Sequence, residues 1–169
     1  MEPYNSSWPI KYNKEYHSLK SKLGKHILDI QHIGSTAIPS MKAKPIIDIM
    51  ISVKSLDNAA PIHSILEELG YMYRPEMSST ERLFFRKGNP VEFHVSITEP
   101  DNTPYWNRQI MFRDFIIKYP EYIDEYEKVK MKAIEGLSKN ELKDLSLSEK
   151  YNSGKDQFVE KILKLATSR

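Results

Sequence analysis

Two predicted strands place ionisable side chains on one polar face of a β-sheet. Residues 46–53 alternate so that Asp48 lies opposite a row of isoleucine and valine side chains. Residues 91–98 repeat this alternation and put Glu92 and His94 on their polar side. A carboxylate in such an apolar run is costly unless it faces water, a metal ion or a cationic partner. We therefore interpret these three residues as candidate functional residues, and the alternative is a solvated sheet face with scattered polar groups.

A Gly-Ser pair follows a further predicted strand, residues 27–33, and opens a loop. Glycine lets the backbone come close to a ligand, and the following N–H groups with the Ser35 hydroxyl can hold phosphate oxygens. Gly-Ser pairs also mark ordinary turns. The spacing of Gly34 and Ser35 from Asp48 is what favours a phosphate site over a simple turn.

Two cations lie on otherwise apolar stripes of predicted C-terminal helices. Arg113 shares its stripe with Trp106, Ile110 and Ile117, and Lys155 shares one with Tyr151, Phe158 and Ile162. A cation in such a place either extends to the rim of the core or points into a polar cleft. Its occurrence on two helices favours one anionic ligand shared by Arg113 and Lys155, with extension to the rim as the alternative.

The elements that position these residues change in character along the chain. A strand-rich first part contains a helix ended by Gly24, the strands named above, a helix over residues 62–69 and a hairpin of residues 82–87 and 91–98. Helices beginning near Pro104, Pro120 and Ser148 follow. This order predicts the α+β class, with a small mixed sheet packed on one face by helices and a C-terminal helical half. The absence of repeats and flexible linkers predicts a single domain over residues 1–169.

Composition excludes several classes of function. The net charge of +2 disfavours nucleic-acid binding and a polybasic membrane anchor. The chain has no cysteine, which excludes disulfides, thiol catalysis and zinc–thiolate sites. It shows neither a signal-peptide pattern nor an apolar run near the ~20 residues that span a bilayer. We therefore expect no membrane partner and a cytoplasmic location.

The motifs together resemble those of a known family. Residues 32–39, His-Ile-Gly-Ser-Thr-Ala-Ile-Pro, and residues 43–49, Ala-Lys-Pro-Ile-Ile-Asp-Ile, are similar to the GrpB family of nucleotidyltransferase-like proteins. Further similarities span nearly the whole chain and comprise residues 84–87, 93–95 and 112–115, with Tyr151, Lys155 and Phe158. The resemblance implies a nucleotidyltransferase-like fold.

The resemblance also implies roles for individual residues. In that superfamily a Gly-Ser pair, here Gly34 and Ser35, holds nucleotide phosphates, and strand carboxylates bind divalent metals. Asp48 matches the first carboxylate, whereas Met50 stands where the second is expected, and a thioether is a poor ligand for Mg²⁺ or Mn²⁺. Glu92 stands where the family has the first histidine of a His-x-His run.

These correspondences predict a site in which each residue has a role. Mg²⁺ or Mn²⁺ would be held by Asp48, with Glu92 either as the superfamily's third carboxylate or as a simple substitution for the family's histidine. His94 would accept a proton because imidazole exchanges protons near neutral pH. Phosphate or carboxylate groups of the substrate would be contacted by four cations: Lys44, Arg86, Arg113 and Lys155.

The resulting hypothesis is a metal-dependent nucleotidyltransferase that acts on a nucleoside triphosphate and an acceptor of unknown identity. The alternative is a non-catalytic module that binds a nucleotide or small anionic metabolite at a degenerate metal site, and Met50 favours it. Either way, the expected partner is a nucleotide or a small anionic substrate.

Overall fold

The structure is a computed structural model that describes residues 1–101, 103–143 and 148–168. It divides into two compact units, Met1–Ile110 and Met111–Arg169. The boundary between the units falls within a helix, Tyr105–Lys118. The expectation of a single domain stays a prediction.

The first unit contains a five-stranded mixed sheet, as the sequence predicts. Its elements, in chain order, are α1 (Ser7–Leu23), β1 (Asp29–Ile33), β2 (Ile47–Ser52), α2 (Ala60–Glu68), β3 (Met72–Tyr73), β4 (Arg82–Lys87), β5 (Phe93–Thr98) and the beginning of α3 (Tyr105–Lys118). The strand order is β1-β2-β5-β4-β3. Strands β2 and β5 run parallel, and the other neighbouring pairs are antiparallel. The two strands predicted to carry the functional residues are thus direct neighbours.

The apolar face of the sheet forms the main core. The residues of β2 and β5 with apolar parity are buried together with the apolar stripe of α1 and with α2: Ile47, Ile49, Ile51, Val95, Ile97, Leu19, Leu23, Ile62 and Leu66. Alternation by two in the strands and by three or four in the helices brings these side chains to one side. The predicted packing of one sheet face by helices is confirmed.

The opposite face carries the polar row and a smaller apolar cluster. Asp48 pairs in register with His94 across β2 and β5, and Ile33 pairs with Asp48 across β1 and β2. Two residues along β2, Met50 is fully buried and packs with Ile33 and Trp106. The beginning of α3 therefore covers part of this face.

A buried polar group links α1 to the sheet. The carboxylate of Glu15 accepts a hydrogen bond from the Tyr71 hydroxyl at 2.8 Å and pairs with the Lys87 ammonium at 2.8 Å. Burial, with the negative charge of Glu15 and the hydrogen bond to it, raises the pKa of Tyr71 far above its usual range. The proton of Tyr71 is thus part of the folded structure.

The second unit consists of helices. The remainder of α3 is followed by α4 (Ile123–Ile134), α5 (Lys139–Lys143) and α6 (Glu149–Thr167). Tyr126 and Phe158 stack with ring centroids 5.0 Å apart, and Phe112 contacts Tyr126 edge-on at 5.2 Å. Ser148 caps α6 by accepting a hydrogen bond from the Tyr151 N–H. Among the described residues, no helix has the length and apolar character needed to cross a membrane.

We expect Tyr71→Phe to change the alkaline stability of the protein. The unfolded chain releases the tyrosine proton above about pH 10, whereas folded Tyr71 keeps it, so wild-type stability falls with rising pH by about 1.4 kcal/mol per pH unit from this residue. The contribution is complete below about pH 10 and is lost above it. In Tyr71→Phe this part of the slope disappears, at a cost near neutrality of about 1 kcal/mol for the lost hydrogen bond. Urea unfolding of both proteins from neutral pH to above about pH 10 measures the pH dependence of the unfolding free energy. Parallel pH profiles for the two proteins would contradict the expectation.

Candidate functional site

Asp48 and His94 form a hydrogen-bonded pair on the polar face of the sheet. The Nδ1 of His94 lies 3.0 Å from Oδ1 of Asp48, with the histidine side chain 11% and the aspartate side chain 36% exposed. Because a carboxylate accepts, the proton of a neutral ring lies on Nδ1 and Nε2 carries the lone pair. The ring also packs on Phe84, with centroids 5.0 Å apart. Parallel pairing of β2 and β5 places both residues at one level of the sheet.

The second nitrogen of His94 and the second oxygen of Asp48 are not fully buried. Neither atom has a hydrogen-bond partner in the described part of the chain. No buried side-chain nitrogen or oxygen there lacks a hydrogen bond, so these two atoms are not buried. The pair therefore presents one basic nitrogen and one carboxylate oxygen to a ligand.

Gly34 lies directly against the Asp48 carboxylate. Its φ of 72° and ψ of −174° belong to a backbone region that is almost restricted to glycine. A Cβ at this position would overlap Oδ2 of Asp48 and lie 3.1 Å from its Cγ. Glycine is therefore required both by the backbone conformation and by the space that Asp48 occupies.

A chain of side-chain hydrogen bonds holds the turn that contains the Gly-Ser pair. The 3-10 turn Ser35–Ala37 follows β1, and the Thr36 hydroxyl donates to the Ile46 carbonyl at 3.3 Å. That hydroxyl therefore accepts from Nε2 of His32, 3.0 Å away, whose ring stacks on Tyr12 at 4.6 Å. The turn is thus tied to the residue that precedes β2.

Glu92, predicted as a second metal ligand, lies just before β5. Its carboxylate is 51% exposed and forms an ion pair with Lys11 of α1 at 3.6 Å. The ion pair joins Glu92 to a residue of the helix on the apolar side of the sheet. A role for Glu92 in catalysis or metal binding stays a prediction.

The described residues contain no group of three or more histidine, aspartate or glutamate side chains that could hold a metal ion. Met50, at the place of the superfamily's second carboxylate, is 0% exposed and packs against Ile33 and Trp106. These residues do not fit a two-metal centre. A single Mg²⁺ commonly binds one carboxylate together with substrate phosphates, and the open oxygen of Asp48 fits that arrangement.

The four predicted cation contacts are divided between the two units. Lys44 lies in the segment before β2, and Arg86 pairs in register with His94 across β4 and β5.

In the second unit, Arg113 donates to Asp114 at 2.7 Å. The ammonium of Lys155 lies 4.0 Å from the centroid of the Tyr151 ring and donates to Asn152 at 3.3 Å. A shared anionic ligand of Arg113 and Lys155 stays a prediction.

Sequence reasoning missed one cation on the polar face. The Nη1 of Arg82 donates to Ser96 at 3.0 Å and to the Tyr105 hydroxyl at 3.4 Å. Alternation along β4 signals that Arg82 lies on the same face as Arg86, but nothing in the sequence signals its contact with Tyr105.

The sheet and its Asp48–His94 pair, beside a Gly-Ser turn, are consistent with the nucleotidyltransferase-like superfamily that the motifs imply. The family model described as GrpB protein matches residues 1–165. The chain belongs to the GrpB family.

Individual relatives agree with this assignment. The glutamate-rich protein GrpB of Alkalihalophilus pseudofirmus is 31% identical over 165 residues, which cover 95% of this chain and 91% of that protein. The crystal structure of conserved protein GrpB from Enterococcus faecalis matches with a TM-score of 0.79 and 31% identity, covering 97% of this chain and 94% of that one.

Other relatives are longer than this chain. The UPF0157 protein YqkA of Bacillus subtilis is 37% identical over 128 residues, which are 75% of this chain and 37% of that protein. A protein of Mycolicibacterium paratuberculosis named dephospho-CoA kinase is 28% identical over 156 residues, covering 78% of this chain and 38% of that protein.

We expect Gly34→Ala to destabilise the protein more than the same change at another glycine with positive φ. Gly34→Ala should lower the free energy of unfolding by about 3 kcal/mol, because backbone strain and overlap with Asp48 add. Gly70, with φ of 85° and no atom within 4 Å of the place that a Cβ would take, is the matched control. Gly70→Ala should cost about 1 kcal/mol from strain alone. Equal losses of unfolding free energy in the two variants would show that overlap with Asp48 adds nothing to the cost of backbone strain.

We expect Met50→Asp to destabilise the protein rather than create a second metal ligand. A carboxylate in place of this buried thioether would face Ile33 and Trp106 without a cation, at a cost of roughly 3 kcal/mol or more. Met50→Leu conserves volume and should cost less than about 1.5 kcal/mol. Chemical denaturation with and without Mn²⁺ measures both variants. Recovery of Met50→Asp stability on addition of Mn²⁺ would contradict the expectation.

Proposed function

We propose that this protein binds a nucleotide on the polar face of its sheet and transfers a nucleotidyl group to an acceptor hydroxyl, with His94 as general base. The single observation that carries the proposal is the hydrogen bond between Nδ1 of His94 and Oδ1 of Asp48 at 3.0 Å. It fixes the ring with its lone pair on an open Nε2, which is the arrangement that a general base requires.

In the proposed step, Nε2 of His94 takes the proton of the acceptor hydroxyl while the hydroxyl oxygen attacks the α-phosphorus of the nucleoside triphosphate. The new phosphate ester forms, the bond to pyrophosphate breaks, and pyrophosphate leaves. Asp48 stabilises the imidazolium that results, because its carboxylate already accepts the Nδ1 proton.

The phosphates would be held by the turn that begins at Gly34 and Ser35, with Lys44 and Arg86, the two predicted cation contacts that belong to the first unit. Mg²⁺ bound by the open oxygen of Asp48 would offset the negative charge of the phosphates. Glu92 is the second ligand predicted from sequence. The relationship to part of a protein named dephospho-CoA kinase supports nucleotide-related chemistry.

A second candidate function is nucleotide binding without transfer. The complete burial of Met50 favours it, because the superfamily position of the second carboxylate has become part of an apolar cluster. The two functions differ in turnover and not in binding, so one set of variants distinguishes them.

Asp48→Asn and His94→Gln should have different effects. We expect Asp48→Asn to weaken Mn²⁺ binding in the presence of ATP at least about tenfold, because the carboxylate charge is lost. His94→Gln should bind Mn²⁺ and ATP like wild type and should lose release of pyrophosphate by about a hundredfold, the usual contribution of a general base. Water proton relaxation measures Mn²⁺, and a coupled assay measures pyrophosphate.

Asp29→Asn serves as the control, since Asp29 is exposed on β1 and its carboxylate, in the part of the chain that the structure describes, accepts hydrogen bonds only from its own strand. Glu92→Gln in the same titration decides whether Glu92 is a ligand. Wild-type Mn²⁺ affinity in Asp48→Asn would refute the metal site. Binding of ATP without pyrophosphate release by any acceptor hydroxyl tried would favour the binding module over the transferase.

A further inference from the structure

Arg82 is held rigidly on the polar face of the sheet. Its guanidinium carbon lies 4.7 Å from the centroid of the Phe84 ring and 5.4 Å from that of Tyr105. One nitrogen, Nη1, donates to Ser96 and to the Tyr105 hydroxyl. Phe84 and Ser96 are each 4% exposed, so the cation is fixed by buried neighbours rather than by a flexible surface contact. A guanidinium fixed in this way keeps its donors in a defined plane.

Arg74, whose backbone N–H donates to the Phe84 carbonyl, has an acidic partner, whereas Arg82 has none among the described residues. Arg74 donates to Glu76 at 2.6 Å, and this hydrogen bond lowers the pKa of the Glu76 carboxyl, with a smaller contribution from the charge of Arg86. Within the described ranges, the contacts of Arg82 are with hydroxyl groups and aromatic rings and include no carboxylate.

The remaining donors of Arg82 are available to a ligand. Its Nε and Nη2 make no hydrogen bond in the described part of the chain, and no buried side-chain nitrogen there is unsatisfied. Both atoms therefore reach solvent. These two nitrogens form one edge of the guanidinium, the edge that binds two oxygens of a carboxylate or phosphate at once.

The donor edge of Arg82 lies on the same face of the sheet as the Asp48–His94 pair. Ser96, the anchor of Arg82, follows His94 by two residues on β5, so their side chains lie on one face about 7 Å apart. An oxyanion bound to Arg82 would thus lie within the length of a nucleotide from the proposed base.

We propose that Arg82, positioned by Phe84, Ser96 and Tyr105, binds an oxyanion of the substrate, either a phosphate or a carboxylate group. This inference deepens the proposed function and rests on it, since it assigns a second anionic group to the molecule that is bound near His94. Substrates that carry an anionic group only near His94 would then bind more weakly than substrates that carry a second anionic group at Arg82.

The test uses the wild-type protein without metal, so that it is independent of the metal site of Asp48. The Nε–H signal of Arg82 in the ¹H–¹⁵N NMR spectrum is identified by its absence from the spectrum of Arg82→Lys. Inorganic tripolyphosphate and glutarate are then titrated separately at matched ionic strength, which removes general screening by salt. We expect at least one of them to shift this signal in a saturable manner. A shift with tripolyphosphate alone assigns the phosphate chain, and one with glutarate alone assigns a carboxylate.

Two variants measure how much Arg82 contributes to the affinity for the probe. Arg82→Lys should weaken binding of the active probe at least about tenfold, because the paired donors are lost while the charge remains. Arg74→Gln, which removes a cation already paired with Glu76, should change affinity less than about twofold. A signal of Arg82 that neither probe shifts, or equal losses in both variants, would overturn the proposal. Failure of Mn²⁺ binding at Asp48 would leave this result unchanged and so marks a separate failure of the proposed function.

Discussion

The carboxylate of Asp48 sets the constraint on which the polar face depends. It lies in an apolar interior strand, between β1 and β5, where a charge needs partners. His94 supplies a hydrogen bond at 3.0 Å, and Gly34 supplies the space that a larger residue would take from the carboxylate. The Gly-Ser turn, the histidine and the carboxylate therefore occupy one place because each limits the position of the others.

The same face divides into parts with different physical character. Two residues along β2 from Asp48, Met50 is enclosed by Ile33 and Trp106, and this packing stabilises the beginning of α3 on the sheet. Toward β4, Arg82 is held by Tyr105 of the same helix. The first turn of α3 thus closes one region of the face and supplies a hydroxyl to the other.

Membership of the GrpB family and the superfamily template lead to different expectations for this site. The template has several carboxylates that bind two metal ions, whereas this chain brings one carboxylate and one histidine together on adjacent strands. In the proposed function, a pair of this kind serves proton transfer, and a metal ion at Asp48 would be shared with the substrate phosphates. The proposed chemistry therefore depends more on His94 than on the position taken by Met50.

Much of this arrangement could be predicted from the sequence. Alternation in residues 46–53 placed Asp48 opposite the core, the hairpin signals placed His94 on the same face, and the motif around Gly34 indicated the family. These are local or periodic properties, which follow from the geometry of a single strand or turn. The contacts of Glu92 with Lys11, of Met50 with Trp106 and of Arg82 with Tyr105 join residues far apart in the chain. They were decided only by the tertiary structure, because the path of α1 and of the beginning of α3 over the sheet depends on the packing of several elements at once.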